Sequence, residues 1–257
     1  MLSLKVLSLG WGVQSFTLAA MVALGELEPL DAAVHADTTH ESNNTYTFAA
    51  QWTPWLVQHG VKVVTVVTSN PEPDPLNYYN RIAIPAFSSA GNGHSEAQLN
   101  RECTNNWKRR QIRRWLQANR NGQPIEQWIG ISLDEVPRMK DSNVKYIVNR
   151  WPLIERRMTR VACITWLERH NLPIPSKSAC YFCPFHNTAE WRNIKNSGNS
   201  DWQKAVKVDE AIRKMRPPYD LFLHPSRRPL TQVDFATPQE HGQLNLWNEE
   251  CSGICGV

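Results

Sequence analysis

The sequence has no uninterrupted apolar stretch approaching the roughly 18 residues that cross a bilayer, so it offers no membrane-spanning helix. It also lacks a strong charge of one sign. A net charge of +4 over 257 residues suits anionic ligands such as nucleotides but does not require a nucleic-acid partner. Internal repeats and low-complexity tracts are absent, which excludes solenoid architectures. With 41% hydrophobic and 20% charged residues, the composition is that of a globular chain rather than a disordered one. Neither a GK[ST] phosphate loop nor GxGxxG occurs. The opening MLSLKVLSLG lacks the small-residue cleavage site of a signal peptide, and Lys5 splits its apolar run. It therefore reads as a first strand, and the expected location is the cytoplasm. In that compartment the six cysteines read as ligands, nucleophiles or core residues rather than disulfides.

What is present is an alternation of strand-like and helix-like segments. Strands are expected at Lys5–Ser8, Asp31–Ala36, Lys62–Val67 and Glu126–Ile131, the third being short, β-branched and bounded by turn residues. Helical patterns run from about Gln14 to Leu24 and from Asn44 to His59, with an interruption expected at Pro54. This order predicts an α/β fold, a doubly wound parallel sheet covered on both faces. A long proline-rich connection covers 70–100, and a basic helix follows from Thr104 to Asn119. The remainder reads as mostly helical and contains cysteines. The expected domains are 1–186, binding nucleotide and including the CxxC, and a helical extension with a cysteine tail, 187–257.

Several segments carry candidate chemistry, each beside a plainer reading. SLGWGVQS joins the first strand to a helix, where unpaired N–H groups and the helix dipole favour anions. Gly10 and Gly12 permit close backbone approach, and Ser8 and Ser15 add hydroxyls; the plain alternative is a glycine turn. Asp37 ends the second strand and either faces the ligand crevice or caps the next helix. Cys180 and Cys183 form a CxxC followed by proline, suited to two thiolates on one metal or to a redox pair. Further cysteines stand at 103 and 163, the latter on an amphipathic pattern where it is also a candidate core thiol. Lys108, Arg109, Arg110, Arg113 and Arg114 form a cationic run, either a solvated face or a phosphate track. The tail CSGICGV contains Cys251 and Cys255, open to roles as nucleophile, ligand or packing. HPSRRPL, His224 to Leu230, is a further phosphate-loop candidate on composition alone.

Taken in order, these motifs resemble the sulfonucleotide (PAPS) reductases and the wider PP-loop, adenine nucleotide alpha-hydrolase-like superfamily. SLGWGVQS is similar to the reductases' SSSFGIQ through Ser8, Gly12 and Gln14, with Trp11 at the aromatic position. The ATP-cleaving relatives carry SGGxDS instead, whose aspartate is missing here. ADTTHE resembles a strand-end DTG near the nucleotide. GISLDEVPRMKDS is similar to GxRxxESxxR through Gly130, Glu135 and Arg138, with Ser132 in place of the arginine. CTNNWKRRQIRRWL resembles the cluster-bearing CCxxRKxxPLxxAL, with Cys103 and Lys108 matching and Thr104 replacing the second cysteine.

The resemblance implies an adenine nucleotide (PAPS, APS or ATP) bound by Ser8, Gly10, Gly12, Gln14, Ser15, Asp37, Gly130 and Glu135. It implies a [4Fe–4S] cluster, with zinc as the alternative, on Cys103, Cys163, Cys180 and Cys183. It assigns Cys251 as nucleophile toward a sulfate-type sulfur, with Lys108 and Arg138 supplying positive charge, and a thiol reductant such as thioredoxin as partner. At Glu250-Cys251 the family's ECG is interrupted by Ser252, and no histidine follows. Two alternatives stand beside this reading. One is ATP-dependent activation of a nucleic acid or small molecule for sulfur insertion. The other is a zinc-stabilised nucleic-acid-binding protein without turnover.

Overall fold

The first strand is covered on both faces: Val6 and Leu7 are both fully buried and face opposite sides of a sheet. The computed structural model describes residues 3–67, 83–90 and 95–236. In chain order its elements are β1 (Leu4–Ser8), α1 (Val13–Ala23), β2 (Ala32–Asp37), α2 (Asn43–Gln58), β3 (Val63–Val67), β4 (Phe87–Ser88) and β5 (Ala97–Gln98). A π-helical turn, Thr104–Arg109, leads into α3 (Arg110–Asn119), followed by β6 (Ile125–Ile129) and a 3-10 turn at Leu133–Arg138. The chain continues through β7 (Ile147–Arg150), α4 (Pro152–Glu155), α5 (Arg160–Arg169), α6 (Thr188–Asn196), α7 (Asp201–Ile212) and β8 (Leu221–Phe222). None of the described helices is long and apolar enough to cross a membrane.

The described residues fall into two compact units: 3–67 with 104–179, and 83–90 and 95–103 with 180–236. The first holds a five-stranded sheet in the order β3-β2-β1-β6-β7, parallel throughout. Leu7, Ala33 and Trp128 face α1, α2 and α5, in a core with Phe16, Leu56 and Leu167. On the other face Val6, Val34 and Ile125 meet Ile112, Trp115 and Leu116 of α3. This is the doubly wound arrangement that the alternating strand and helix pattern predicts. Strands run outward from β1 to β3, then the chain crosses back to place β6 on the other side of β1. The β1/β6 boundary is therefore the switch point, where crevices open at the carboxyl ends of the strands.

Two local outcomes differ from the sequence expectation. Helix α2 runs unbroken through Pro54. Its Phe48, Trp52 and Trp55 pack on the Phe16 core, and that burial holds the helix across the missing amide. The segment after the polar turn at 132–142, expected to be mostly helical, contributes the edge strand β7, paired with β6 through Ile125↔Ile147.

In the second unit β4 pairs antiparallel with β5 and β8. Its organising group is Asp209 of α7, 1% exposed. Its carboxylate accepts from the Leu223 amide at 2.9 Å and the Leu230 amide at 3.1 Å, and is ion-paired with Arg213. Helix α6 begins with a reciprocal capping box: Asn187 accepts from the Glu190 amide, and Glu190 accepts from the Asn187 amide.

Candidate functional site

The switch point joins the two loops that carry the motifs. After β1 the chain turns through Leu9–Gly12 into α1, whose first turn presents free amides and the positive end of the helix dipole. Trp11 holds a left-handed backbone, φ 60°, unusual for a bulky side chain. Burial compensates: Trp11 is 2% exposed and meets the rings of Phe16, His35 and Phe48 with centroids 6.3–6.5 Å away. Ser15 folds back on the loop, accepting from the Gly10 amide at 3.1 Å and donating to the Gly12 carbonyl at 3.3 Å. The Ser8 hydroxyl accepts from Gln127 of β6 at 2.7 Å, fixing the end of β1 against its neighbour.

Gly130, one residue past β6, shows why that position is glycine. A Cβ there lies 2.9 Å from the Ser15 nitrogen and 3.1 Å from its Cα, inside ordinary contact. The β6 end thus presses directly on the start of α1. Gln14 extends the junction: its amide nitrogen donates to Ser132 at 3.3 Å and to Glu135 at 3.1 Å, and its oxygen accepts from Arg160 at 3.1 Å. Glu135 is also ion-paired with Arg138, whose side chain is 60% exposed. Asp134 accepts from the Arg160 amide at 3.0 Å. Burial raises the Asp134 pKa, but hydrogen bonds from Ser132 and the Arg160 amide outweigh it and hold the carboxyl below its usual value.

Beside this junction lies a cleft of about 400 Å³ lined by Trp11, His35, Asp37, Tyr46, Ala50, Pro54 and Thr65, among others. Asp37 does not cap α2; Ser42 does, accepting from the Thr45 amide. One Asp37 oxygen instead accepts from the Thr39 amide and the Tyr46 hydroxyl, each at 2.7 Å. Burial and that hydrogen bond push the Tyr46 phenol well above its ordinary pKa. His35 Nδ1 lies 3.0 Å from the Leu9 carbonyl. A carbonyl only accepts, so Nδ1 carries the proton of the neutral ring. Burial draws the His35 pKa down against the opposing pull of Glu41. Pro54 has no amide to donate to the Ala50 carbonyl, and both residues line the cleft.

Lys108 comes from the π-helical turn and meets Glu41 at 2.7 Å. The Glu41 side chain is fully buried and also accepts from Thr38 at 3.1 Å, while its second oxygen has no hydrogen-bond partner. The sequence motifs single out neither Arg160 nor Tyr46. The signal for Arg160 was Thr159, a helix cap that fixes where the arginine starts; nothing local marks Tyr46.

The cysteines divide between the units. Cys163 is fully buried in the apolar core of the first unit with Phe16, Leu153 and Leu167. Burial pushes its thiol up to about 11, whereas metal ligation needs thiolate. Cys103, Cys180 and Cys183 belong to the second unit and are partly exposed, with the Cys183 amide donating to the Cys180 carbonyl at 3.0 Å. The CxxC turn thus fits two ligands, but Cys163 does not have the setting of another. Among the described residues no three His, Cys, Asp or Glu side chains are grouped to hold a metal. Cys251 and Cys255 lie outside the described residues. Arg227 of the HPSRRPL loop is committed to the Ser88 carbonyl at 2.9 Å and to Glu96.

The sequence matches no protein-family model and no curated protein. In three dimensions the chain is similar to a phosphoadenylyl-sulfate (PAPS) reductase from Candida auris, solved as a phosphate complex. Identity is 11%, coverage 68% of this chain and 76% of that chain, and the TM-score 0.48. It is also similar to the U34-tRNA thiolase NcsA from Methanococcus maripaludis, solved with its [4Fe-4S] cluster. There identity is 13%, coverage 83% and 66%, and the TM-score 0.41. The fold itself rests on this chain's own strand order: a parallel, doubly wound sheet with its motif-bearing loops at the switch point.

Proposed function

We propose that the chain is an adenine-nucleotide-binding enzyme of the PAPS reductase and PP-loop class, carrying out sulfur-linked chemistry at the nucleotide's 5′ end. The observation that carries this reading is the junction of Gly130 with Ser15, which locks two strand-end loops around one helix N-terminus. The 5′ anionic group sits at the first turn of α1, held by its amides and approached by Arg160 and Arg138. The nucleoside occupies the adjoining cleft, where Asp37 and the Ala50 carbonyl accept from ribose hydroxyl or adenine amino groups. Lys108, oriented by Glu41, adds positive charge at the same strand edge.

In the reductase form of this chemistry the Cys251 thiolate attacks the sulfate-type sulfur. An S–S bond forms, the S–O bond to the nucleotide breaks, and the nucleotide leaves with that electron pair. A dithiol such as thioredoxin then reduces the S–S bond and releases sulfite. ATP-dependent activation is the second reading, favoured by Ser132 where the reductases carry arginine.

Calorimetric titration with PAPS, APS, ATP and AMP tests the site, followed by sulfite release in the presence of a dithiol. The expected result is nucleotide binding that Asp37→Ala weakens at least tenfold, with Cys251→Ser abolishing sulfite release. Full turnover by Cys251→Ser removes the reductase reading, and failure of every nucleotide to bind removes the site. Iron, sulfide and zinc analysis of anaerobically purified protein tests the cysteines: equal iron and sulfide supports a cluster, and zinc alone a structural ion.

A further inference from the structure

We infer that His186 is a positioning residue for the Cys180/Cys183 thiol pair, holding the CxxC turn in the shape that takes up a metal. The inference rests on the metal reading of these cysteines and not on the nucleotide site. Two consecutive turns place the residues. The Cys183 amide donates to the Cys180 carbonyl at 3.0 Å, and the His186 amide donates to the Cys183 carbonyl at 3.1 Å. The imidazole then folds back, its Nε2 lying 2.9 Å from the same Cys180 carbonyl. A carbonyl only accepts, so Nε2 carries a proton and donates it. The Cys180 oxygen thus takes two donors, and Cys180, Cys183 and His186 are tied into one closed ring of hydrogen bonds.

The imidazole is itself fixed, by α6 of the same unit. His186 is 8% exposed and meets the fully buried Trp191 ring nearly at right angles, with centroids 5.0 Å apart. Glu190 closes the other side, its carboxylate 3.4 Å from Nδ1. That carboxylate is pinned in turn by the Asn187 amide in the capping box that opens α6. Pro184 stands second in the turn from Cys183 to His186, where its fixed φ is favoured. Phe182 is 1% exposed and anchors the turn between the cysteines, while Cys180 and Cys183 themselves stay partly exposed.

This arrangement suits metal uptake better than dithiol exchange. Reactive thiolates are favoured at helix N-termini, whereas α6 starts only at Thr188, beyond both cysteines. His186 is not placed as a ligand, because Nε2 is committed to the carbonyl and Nδ1 is buried against Glu190. It acts through the turn. Fixing the backbone between two thiolates before the metal arrives lowers the ordering cost of binding, as outer-shell partners of metal ligands do.

The test is the rate at which anaerobically purified full-length protein gives up its iron or zinc to an excess of a chromogenic chelator. Wild type is compared with His186→Gln, His186→Asn and His186→Ala. Glutamine presents an N–H at the reach of Nε2, and asparagine only at the reach of Nδ1. The expected result is release about 10–100-fold faster from the Ala and Asn variants, with Gln within about threefold of wild type. Val208→Ala, a core truncation in α7 of the same unit, controls for general loosening and should release metal at the wild-type rate. If His186→Ala fails to fold, the comparison of Gln with Asn decides. Equal release from wild type and Asn, a Gln variant as fast as Asn, or a Val208→Ala control as fast as Asn overturns the positioning role and leaves the metal reading standing. A wild-type chain that carries neither iron nor zinc overturns both.

Discussion

Replacing Gly130 by alanine adds a methyl group where the end of β6 meets the start of α1. That Cβ falls 2.9 Å from the Ser15 nitrogen, 3.1 Å from its Cα and 3.2 Å from the Gln14 carbonyl carbon. All three are backbone atoms, so no side chain can rotate away. Relief requires the two segments to separate by about half an ångström, and overpacking of this kind costs about 1–3 kcal/mol. The Gly130 backbone is not in the left-handed region, so alanine also gains about 0.4–1 kcal/mol by restricting the unfolded chain. The net expectation is a loss of about 1–2 kcal/mol. With a urea slope of about 2 kcal/mol/M, the midpoint falls by roughly 0.5–1 M. The displaced atoms are the first-turn amides that face the anion, so nucleotide affinity falls about tenfold, one charge-assisted hydrogen bond's worth. Urea titration followed by tryptophan fluorescence, with calorimetry for the nucleotide, measures both. A Gly130→Ala variant that unfolds and binds like the wild type would falsify the argument that this approach sets the loop.

Gly12→Ala provides the contrast. Its Cβ meets only Ser178 at 3.7–3.9 Å and its φ of −92° suits alanine, so the urea midpoint stays within about 0.3 M. Nucleotide affinity drops if the ligand approaches that backbone, and unchanged calorimetry would place the anion elsewhere. The depressed His35 pKa sets a pH dependence. The unfolded chain binds more protons than the folded one once pH falls below the unfolded value of about 6.5, so stability declines from there toward acid. His224, also lowered by burial, acts with the same sign in the second unit. Urea midpoints at pH 8, 7, 6 and 5.5 should fall in that order, less steeply in His35→Gln, and a rise toward acid refutes the assignment. Asp209→Ala strands the Arg213 charge and two buried amides, and should cost about 3–5 kcal/mol. Circular dichroism during urea titration checks this, and a loss under 1 kcal/mol would show the carboxylate to be dispensable.

The sequence made the first four strands of the parallel sheet legible because each is short, apolar and followed by a turn or helix signal. Strand β7 was not legible. It has four residues, Val148 is 64% exposed, and only Ile147 is buried, so neither alternation nor a continuous apolar run marks it. The two-residue strands β4, β5 and β8 exist only through their pairing, which no local pattern encodes. Pro54 marked a break that tertiary burial of Phe48, Trp52 and Trp55 overrides.

The site divides along the same line. Gln14, Ser15, Gly130, Ser132 and Glu135 sit in two segments whose positions beside strand ends were readable, and the sheet brings them together. Arg160 and Tyr46 reach the site only because α5 packs under α1 and α2 turns its first coils toward Asp37. Cys163 shows the opposite case: its helical spacing was equally compatible with a core thiol and a ligand, and the structure surrounds it with Phe16, Leu153 and Leu167. The basic helix was legible as charge but not in its facing. Whether Lys108 and Arg110 share a face depends on the π-helical turn, which shifts the register by a fraction of a turn and carries no composition signal. That turn directs Lys108 to the buried Glu41 carboxylate, so the placement of this cation is a property of backbone geometry rather than of residue type alone.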